Sequence, residues 1–360
     1  MTPDRPLTRA DCTHAIAGHA YAPPAEILRS LAFHNAGSDR DVYGTGETLN
    51  AFESKIAKLL GKEAAVFMPS GTMAQQIALR IVADRSGRRT FAAHATSHVV
   101  IHEQAGYARL HDLSFAQIGS AFAPVSLSDV RAIAEPLSMV LLELPQRELG
   151  GELSTWDELV AIVGEARGRG WHVHLDGARL WECAPYYGKT YAQIAALFDS
   201  VYVSFYKGIG AISGAMLLGT QSFIDESKVW QRRHGGNLYS LFPYVFSAAQ
   251  AFEERIGRMG DYWKAAQRVA RALAVYPDVT IRPNPPVTNM FHVFVRGSAD
   301  AFTARGQRIA AEREIWTINK LAPTLVPDVF KWEIGCGDAT VALNDAQLAA
   351  ALDGLFGPAF

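Results

Sequence analysis

The sequence predicts an α/β protein in which a mostly parallel sheet is flanked by helices and followed by a smaller α+β domain. Three observations carry that expectation. Short apolar runs alternate with segments of helical periodicity from about residue 48 to residue 220, the order of repeated strand–helix units. Several of those runs are apolar throughout, as strands covered on both faces are. From about Phe246 the texture changes to a long Ala-rich helical tract followed by scattered strand signals.

After an irregular, Pro-containing start, Thr48 is placed to cap a helix with Leu49, Phe52, Ile56, Leu59 and Leu60 on its apolar face, and Gly61 to stop it. The run Ala64 to Met68 reads as a strand, and Pro69-Ser70-Gly71-Thr72 turns the chain into a helix bearing Ile77, Leu79, Ile81 and Val82. Met139 to Leu144 reads as the next strand. Ser154, with Asp157 three residues on, offers a helix start before Leu159, Ile162, Val163 and Ala166, and Gly170 ends that helix. Trp171 to Leu175 and Val201 to Phe205 read as strands, with a helical piece around Ile194 to Phe198 between them. Ala215 to Leu218, set between Gly214 and Gly219, reads as a short buried strand. The tract from Phe246 to about Val275 reads as helix, and Met290 to Val295, Glu314 to Ile318 and Thr340 to Leu343 as strand candidates. This divides the chain into a large domain, residues 1–255, and a small one, residues 256–360.

With 360 residues, 34 basic against 36 acidic side chains and a net charge of −2, nothing drives the chain electrostatically toward nucleic acid or an anionic membrane. No stretch is apolar enough to cross a bilayer, and the first twenty residues lack an apolar signal core. Cys12, Cys183 and Cys336 are too few and too far apart for a disulfide framework or a four-cysteine zinc site. A cytoplasmic location is expected.

In such a sheet, ligands sit beyond the carboxyl ends of the strands. Four polar groups fall there: Ser70-Gly71-Thr72, Glu143, Asp176 to Arg179, and Tyr206-Lys207-Gly208. Ser70, Gly71 and Thr72 open a helix, where unpaired N–H groups and the helix dipole favour a phosphate; an ordinary helix cap is the plainer alternative. Neither a Walker loop nor a dinucleotide fingerprint is present. Lys207, at the mouth of an apolar strand, is expected to be partly desolvated, which makes an amine nucleophilic toward an aldehyde. Asp176 needs a cationic partner, either a protonated pyridine nitrogen or, more plainly, Arg179. A phosphate cup, a desolvated lysine and a strand-end aspartate together are what pyridoxal 5'-phosphate requires.

The segments DVYG (41–44), GKEAAVFMPSGTMAQ (61–75), SHVVIHEQAG (97–106), HVHLDGARLW (172–181) and SFYKGIG (204–210) resemble, in order and spacing, the low-specificity threonine aldolases. These belong to the β-eliminating-lyase group of fold-type-I pyridoxal phosphate enzymes. The likeness spans roughly residues 40 to 220. It implies that Lys207 is the Schiff-base lysine and Asp176 the pyridinium partner. Ser70, Gly71 and Thr72 would hold the phosphate, and His98 would stack on the ring. Arg179 would bind the substrate carboxylate, Glu103 matches the glutamate five residues after the stacking histidine, and Tyr43 would reach the site of a neighbouring subunit in a homodimer or homotetramer. The implied reaction is retro-aldol cleavage of a β-hydroxy-α-amino acid to glycine and an aldehyde.

Departures from the family fall on the substrate side. Gln146 stands where a histidine usually faces the substrate, Tyr206 replaces the serine before the lysine, with Ser204 as the nearest hydroxyl, and Tyr239 stands in place of an arginine. Lys331 is only a loose counterpart for a second carboxylate-binding arginine. β-Elimination or transamination of another amino acid therefore stays open, as does the general base, for which His98, His102, Glu103 and a water are candidates. A different class of reading, a metal-dependent hydrolase, would use His172, His174 and Asp176 from one face of a strand.

Overall fold

A computed structural model describes residues 5–357. The chain divides into two compact units, one of residues 31–148 and 153–257, the other of residues 5–30, 149–152 and 258–357. The N-terminal segment and the 149–152 loop, which the sequence pattern grouped with the large domain, thus cluster with the C-terminal residues.

The larger unit holds a seven-stranded sheet: β1 (Ala64–Met68), β2 (Thr90–His94), β3 (Ser114–Ile118), β4 (Met139–Glu143), β5 (His172–Gly177), β6 (Ser200–Ser204) and β7 (Ala215–Gly219). Their spatial order is β1-β7-β6-β5-β4-β2-β3. Pairs from β6 to β3 are parallel, and β7 runs antiparallel between β1 and β6. β2 and β3 were not anticipated. β2 reads Thr-Phe-Ala-Ala-His, whose alanines carry little strand propensity, and it is a strand because the sheet interior buries it.

Helix α1 (Glu47–Leu60) is capped by Gly46, not Thr48, which lies inside it. Its Phe52 packs against Phe67, Phe205 and Phe252, with ring centroids 5.0–6.3 Å apart. Such a cluster fixes the helix on the sheet by apolar burial and edge contacts. Helix α2 (Gly71–Ser86) covers the other face, burying Ala74, Ile77, Ala78, Ile81 and Val82 against Leu141, Tyr202 and Leu217. Helix α3 (Trp156–Gly168) is capped by Thr155, whose side chain accepts from the Glu158 N–H, one residue after the expected Ser154. α4 (Gln221–Arg233) and α5 (Phe242–Arg255) complete the unit.

The expected single helical tract is two helices, α5 and α6 (Met259–Leu273), separated by a 3-10 turn at Ile256–Arg258. In the smaller unit β8 (Val279–Arg282), β9 (Met290–Arg296), β10 (Ala322–Pro323) and β11 (Val329–Gly335) form an antiparallel sheet of order β10-β11-β9-β8. Phe291, Val293 and Val295 of β9 alternate inward to join Trp332 and Ile334 of β11 and Val269 and Leu273 of α6. Helices α7 (Ala299–Arg313) and α8 (Asp345–Phe356) close that core. Thr340 to Leu343, expected as strand, lies in and just after a short helix, Asp338–Ala342, that starts at Gly337. Within Glu314 to Ile318 only Ile315–Trp316 is strand, paired parallel with His14–Ala15. Among the described residues no helix is long and apolar enough to cross a membrane.

Candidate active site

Glu143 and Asp176 stand side by side at the carboxyl ends of β4 and β5, with Tyr202 of mid-β6 next to them, because parallel register pairs Glu143 with Asp176 and Asp176 with Tyr202. Residues in register on parallel strands point to the same face, and this face carries α2. Asp176 is buried, and its Oδ1 accepts from the Ala178 N–H at 3.1 Å. Burial pushes its carboxyl up from the usual range. Among the described residues no basic side chain pairs with it; Arg179 lines the same cleft but makes no ion pair with it. The internal Asp176–Arg179 pair is therefore not formed. Glu143 is also raised, by burial first and then by Asp176.

Across the cleft, Ser70 caps α2 by accepting from the Met73 N–H at 3.3 Å, and no acidic side chain occupies the helix's first turn. The positive end of a 16-residue helix thus opens on the cleft, where Gly71 and Thr72 line the wall, with no acidic residue in its own first turn. Gly71 is required there: a Cβ would fall 1.9 Å from the Tyr202 hydroxyl and 2.7 Å from that of Tyr206. Those two hydroxyls are 3.2 Å apart.

Lys207 lies in the loop joining β6 to β7, with its Nζ 5.1 Å from the centroid of the Tyr206 ring. The loop is tied across its base, the Phe205 N–H donating to Gly214 O at 3.0 Å and the Ala211 N–H to Phe205 O at 2.8 Å. Lys207, Asp176, Gly71, Thr72, His98 and Arg179 all line one cleft. His98 Nδ1 is 2.9 Å from Glu103 Oε1, and the other Glu103 oxygen accepts from Gln76 Nε2 at 2.7 Å. That bond to Glu103 raises the imidazole's pKa against the effect of burial.

Ser204 and Gln146 are taken up by internal hydrogen bonds, and Tyr43, expected to serve a neighbouring subunit, is at the surface. The Ser204 hydroxyl donates to Ala178 O at 2.7 Å and is buried, so it joins two strand ends and does not face the cleft. Gln146 is buried and donates to Thr96 Oγ1 and Glu143 Oε2, at 3.2 and 3.4 Å. Tyr43 is 51% exposed, with its ring against Tyr239 and Arg232. Lys331 pairs with Phe294 in the sheet of the smaller unit.

His172 and His174 do not form a metal site with Asp176. Both rings approach the Ser200 hydroxyl at 2.7 Å, and His174 Nε2 is also 2.7 Å from Gln75 Oε1. The chain of bonds is consistent with neutral rings, since burial pushes His174 down to about 3. Among the described residues no group of three His, Cys, Asp or Glu side chains is arranged to hold a metal. Tyr202 and Gln76 were missed; a tyrosine inside an apolar strand reads as core, and only its register beside Asp176 marks it.

The family described as beta-eliminating lyase matches residues 21–297. This chain belongs to it. The chain is 29% identical over 282 residues to the probable low-specificity L-threonine aldolase 2 of Arabidopsis thaliana, a match covering 75% of this chain and 78% of that one. A solved structure from Listeria monocytogenes, provisionally designated an L-allo-threonine aldolase, matches with TM-score 0.92 and 43% identity over 96% of each chain. A serine palmitoyltransferase carrying pyridoxal phosphate shares the fold at 16% identity, with TM-score 0.69 over 95% of this chain and 85% of that one. This beta-eliminating lyase has the fold-type-I architecture and is a pyridoxal 5'-phosphate enzyme. Its residues fit that cofactor: a buried carboxylate without a basic partner suits a protonated ring nitrogen, and a helix N-terminus that lines the cleft without an acidic residue in its first turn suits a phosphate.

Proposed function

We infer that this lyase cleaves the Cα–Cβ bond of a β-hydroxy-α-amino acid of the threonine type, releasing glycine and an aldehyde. The observation that carries the reading is the meeting, in one cleft, of Lys207, the unneutralised Asp176 and the open end of α2. The names of its relatives support the substrate class.

When bound, pyridoxal 5'-phosphate supplies an electron sink conjugated to the substrate's Cα. Lys207 would bind its aldehyde carbon, and Asp176 would keep a proton on its ring nitrogen. Ser70, Gly71 and Thr72 would hold its phosphate through helix N–H groups and hydroxyls. Arg179 would bind the substrate carboxylate and so select which bond at Cα breaks. His98, in the cleft and backed by Glu103, is suited both to cover the ring and to accept the β-hydroxyl proton; such assistance is worth roughly 10²–10⁴-fold. Ser204 has no place in this scheme, and Gln146 acts from behind the cleft, through Glu143.

The test is to load purified protein with cofactor and measure glycine and aldehyde from threonine, allo-threonine and phenylserine, against ammonia from serine. Lys207→Ala should lose the borohydride-reducible visible band, and its retention would remove that lysine from the scheme. Ammonia without aldehyde would establish elimination instead.

A homodimer or homotetramer with shared sites is supported by the exposure of Tyr43, Tyr239 and Phe242, at 51%, 53% and 38%, aromatic surface of a kind enriched at interfaces. Light scattering should give a mass of at least two chains, and Tyr43→Phe should alter activity without changing that mass. Three buried free thiols, Cys12, Cys183 and Cys336, support a reducing cytoplasm as its location.

A further inference from the structure

Glu143 has no role in the scheme of cofactor and substrate binding, yet this half-buried carboxylate lines the same cleft and stands in register beside the buried Asp176 at the adjacent strand end. Its Oε1 accepts from the Arg147 N–H at 3.0 Å, and its Oε2 from the His98 N–H at 3.2 Å and from Gln146 Nε2 at 3.4 Å. It therefore ties the His98 segment to the loop after β4, while adjacent strands are only about 4.8 Å apart, which sets its charge close behind Asp176. The charged or titratable groups around it are Asp176 on β5, Arg179 in the turn that follows, His98 and, beyond that ring, Glu103, together with Tyr202, Tyr206 and Lys207, which line the same cleft. Arg147 donates its backbone N–H to it.

We propose that Glu143 is a positioning residue that fixes His98 by its backbone and doubles the negative charge presented to the cofactor's ring nitrogen. The proposal rests on the reading of Asp176 as the ring's partner. Two adjacent carboxylates resist ionising together, and a cation bound against them removes that resistance. A protonated ring nitrogen is such a cation; an unprotonated one is not. The pair therefore selects the protonated ring and holds its proton to higher pH than Asp176 alone would. Gln146 adds a neutral N–H to Glu143 and so leaves its charge intact.

The test is a pH titration of holoenzyme loaded with cofactor labelled with ¹⁵N at the ring, followed by NMR. In the wild type the ring nitrogen should be protonated at neutral pH and in Asp176→Asn it should not; failure of either result sinks the underlying reading, independently of Glu143. Given both, Glu143→Gln should lower the pH at which the ring loses its proton by roughly one unit, and Glu143→Asp, which keeps the charge, should restore most of it. An unmoved titration in Glu143→Gln, or an equal shift in Glu143→Asp, overturns the proposal. If Glu143→Gln does not fold, Gln146→Lys sets an ammonium against the same carboxylate and should produce the same downward shift; no shift there is equally fatal.

Discussion

Glu103 accepts from both His98 and Gln76, and its side chain is buried while the imidazole it holds is 37% exposed. A hydrogen bond to the charged form favours that form, so Glu103 keeps His98 protonated to higher pH than an isolated imidazole. The sign follows: this raised pKa contributes stability below the unfolded value near 6.5, and the contribution fades as pH rises through the folded value. In Glu103→Gln the His98 titration, followed by its ring carbon shifts in NMR, should move down, and the acidic limb of the pH–rate profile should move with it. An unchanged titration would show that Glu103 does not control the ring. The residues legible from sequence were those whose side-chain type is unusual for their place: a lysine and an aspartate at the ends of apolar runs. Ser204 was not, because the carbonyl it bonds, that of Ala178, follows a neighbouring strand and is 26 residues distant in the chain. His172 and His174 misled for the same reason: their common partner Ser200 belongs to another strand.

Strand β1 lies at an edge of the larger sheet, where unpaired backbone invites association with other chains. Its Phe67 is answered on both counts by side chains: the N–H donates to Glu53 Oε1 at 2.7 Å, and the carbonyl accepts from Gln231 Nε2 at 2.9 Å. Burial pushes Glu53 up to about 7 even though the Phe67 N–H pulls the other way. A carboxyl raised in the folded state stabilises while protonated, so that stability is lost as pH rises through about 7. Glu53→Gln keeps an acceptor for Phe67 without the charge. Its melting temperature should therefore gain on that of the wild type from about pH 5 to about 7 and then level off, and a difference constant across that range would refute the account. No periodicity in α1 announces this role, since Glu53 is one of several polar residues in a helix; strand order alone makes it an edge cap. By contrast, the glycine-bounded run at β7 was legible as a strand, while its reversed direction was not.

Buried titratable groups oppose one another across the whole chain. His111, His172 and His174 are held neutral by burial, at about 4, about 4 and about 3, so unfolding below pH 6.5 takes up protons that the native state refuses. His174 alone makes this roughly 1.4 kcal/mol per pH unit. Glu53, at about 7, and Glu143 act in reverse between their folded values and 4.5, binding protons that the unfolded chain does not. Between about pH 6.5 and 4.5 the two carboxyls offset two of the three histidines, and beneath 4.5 the histidines act unopposed, reinforced by Asp11, whose carboxyl is held low by Arg5 and Thr8. Denaturant midpoints should fall gently from pH 6.5 to 5 and steeply beneath 4.5. An equally steep decline in both ranges would mean the carboxyls are not raised as described.

The reversal of β7 gives Lys207 an unusual mooring: both ends of its short span are sewn into neighbouring strands. For the amine proposed to hold the cofactor, such a tether of fixed length would bring each return to the same atom.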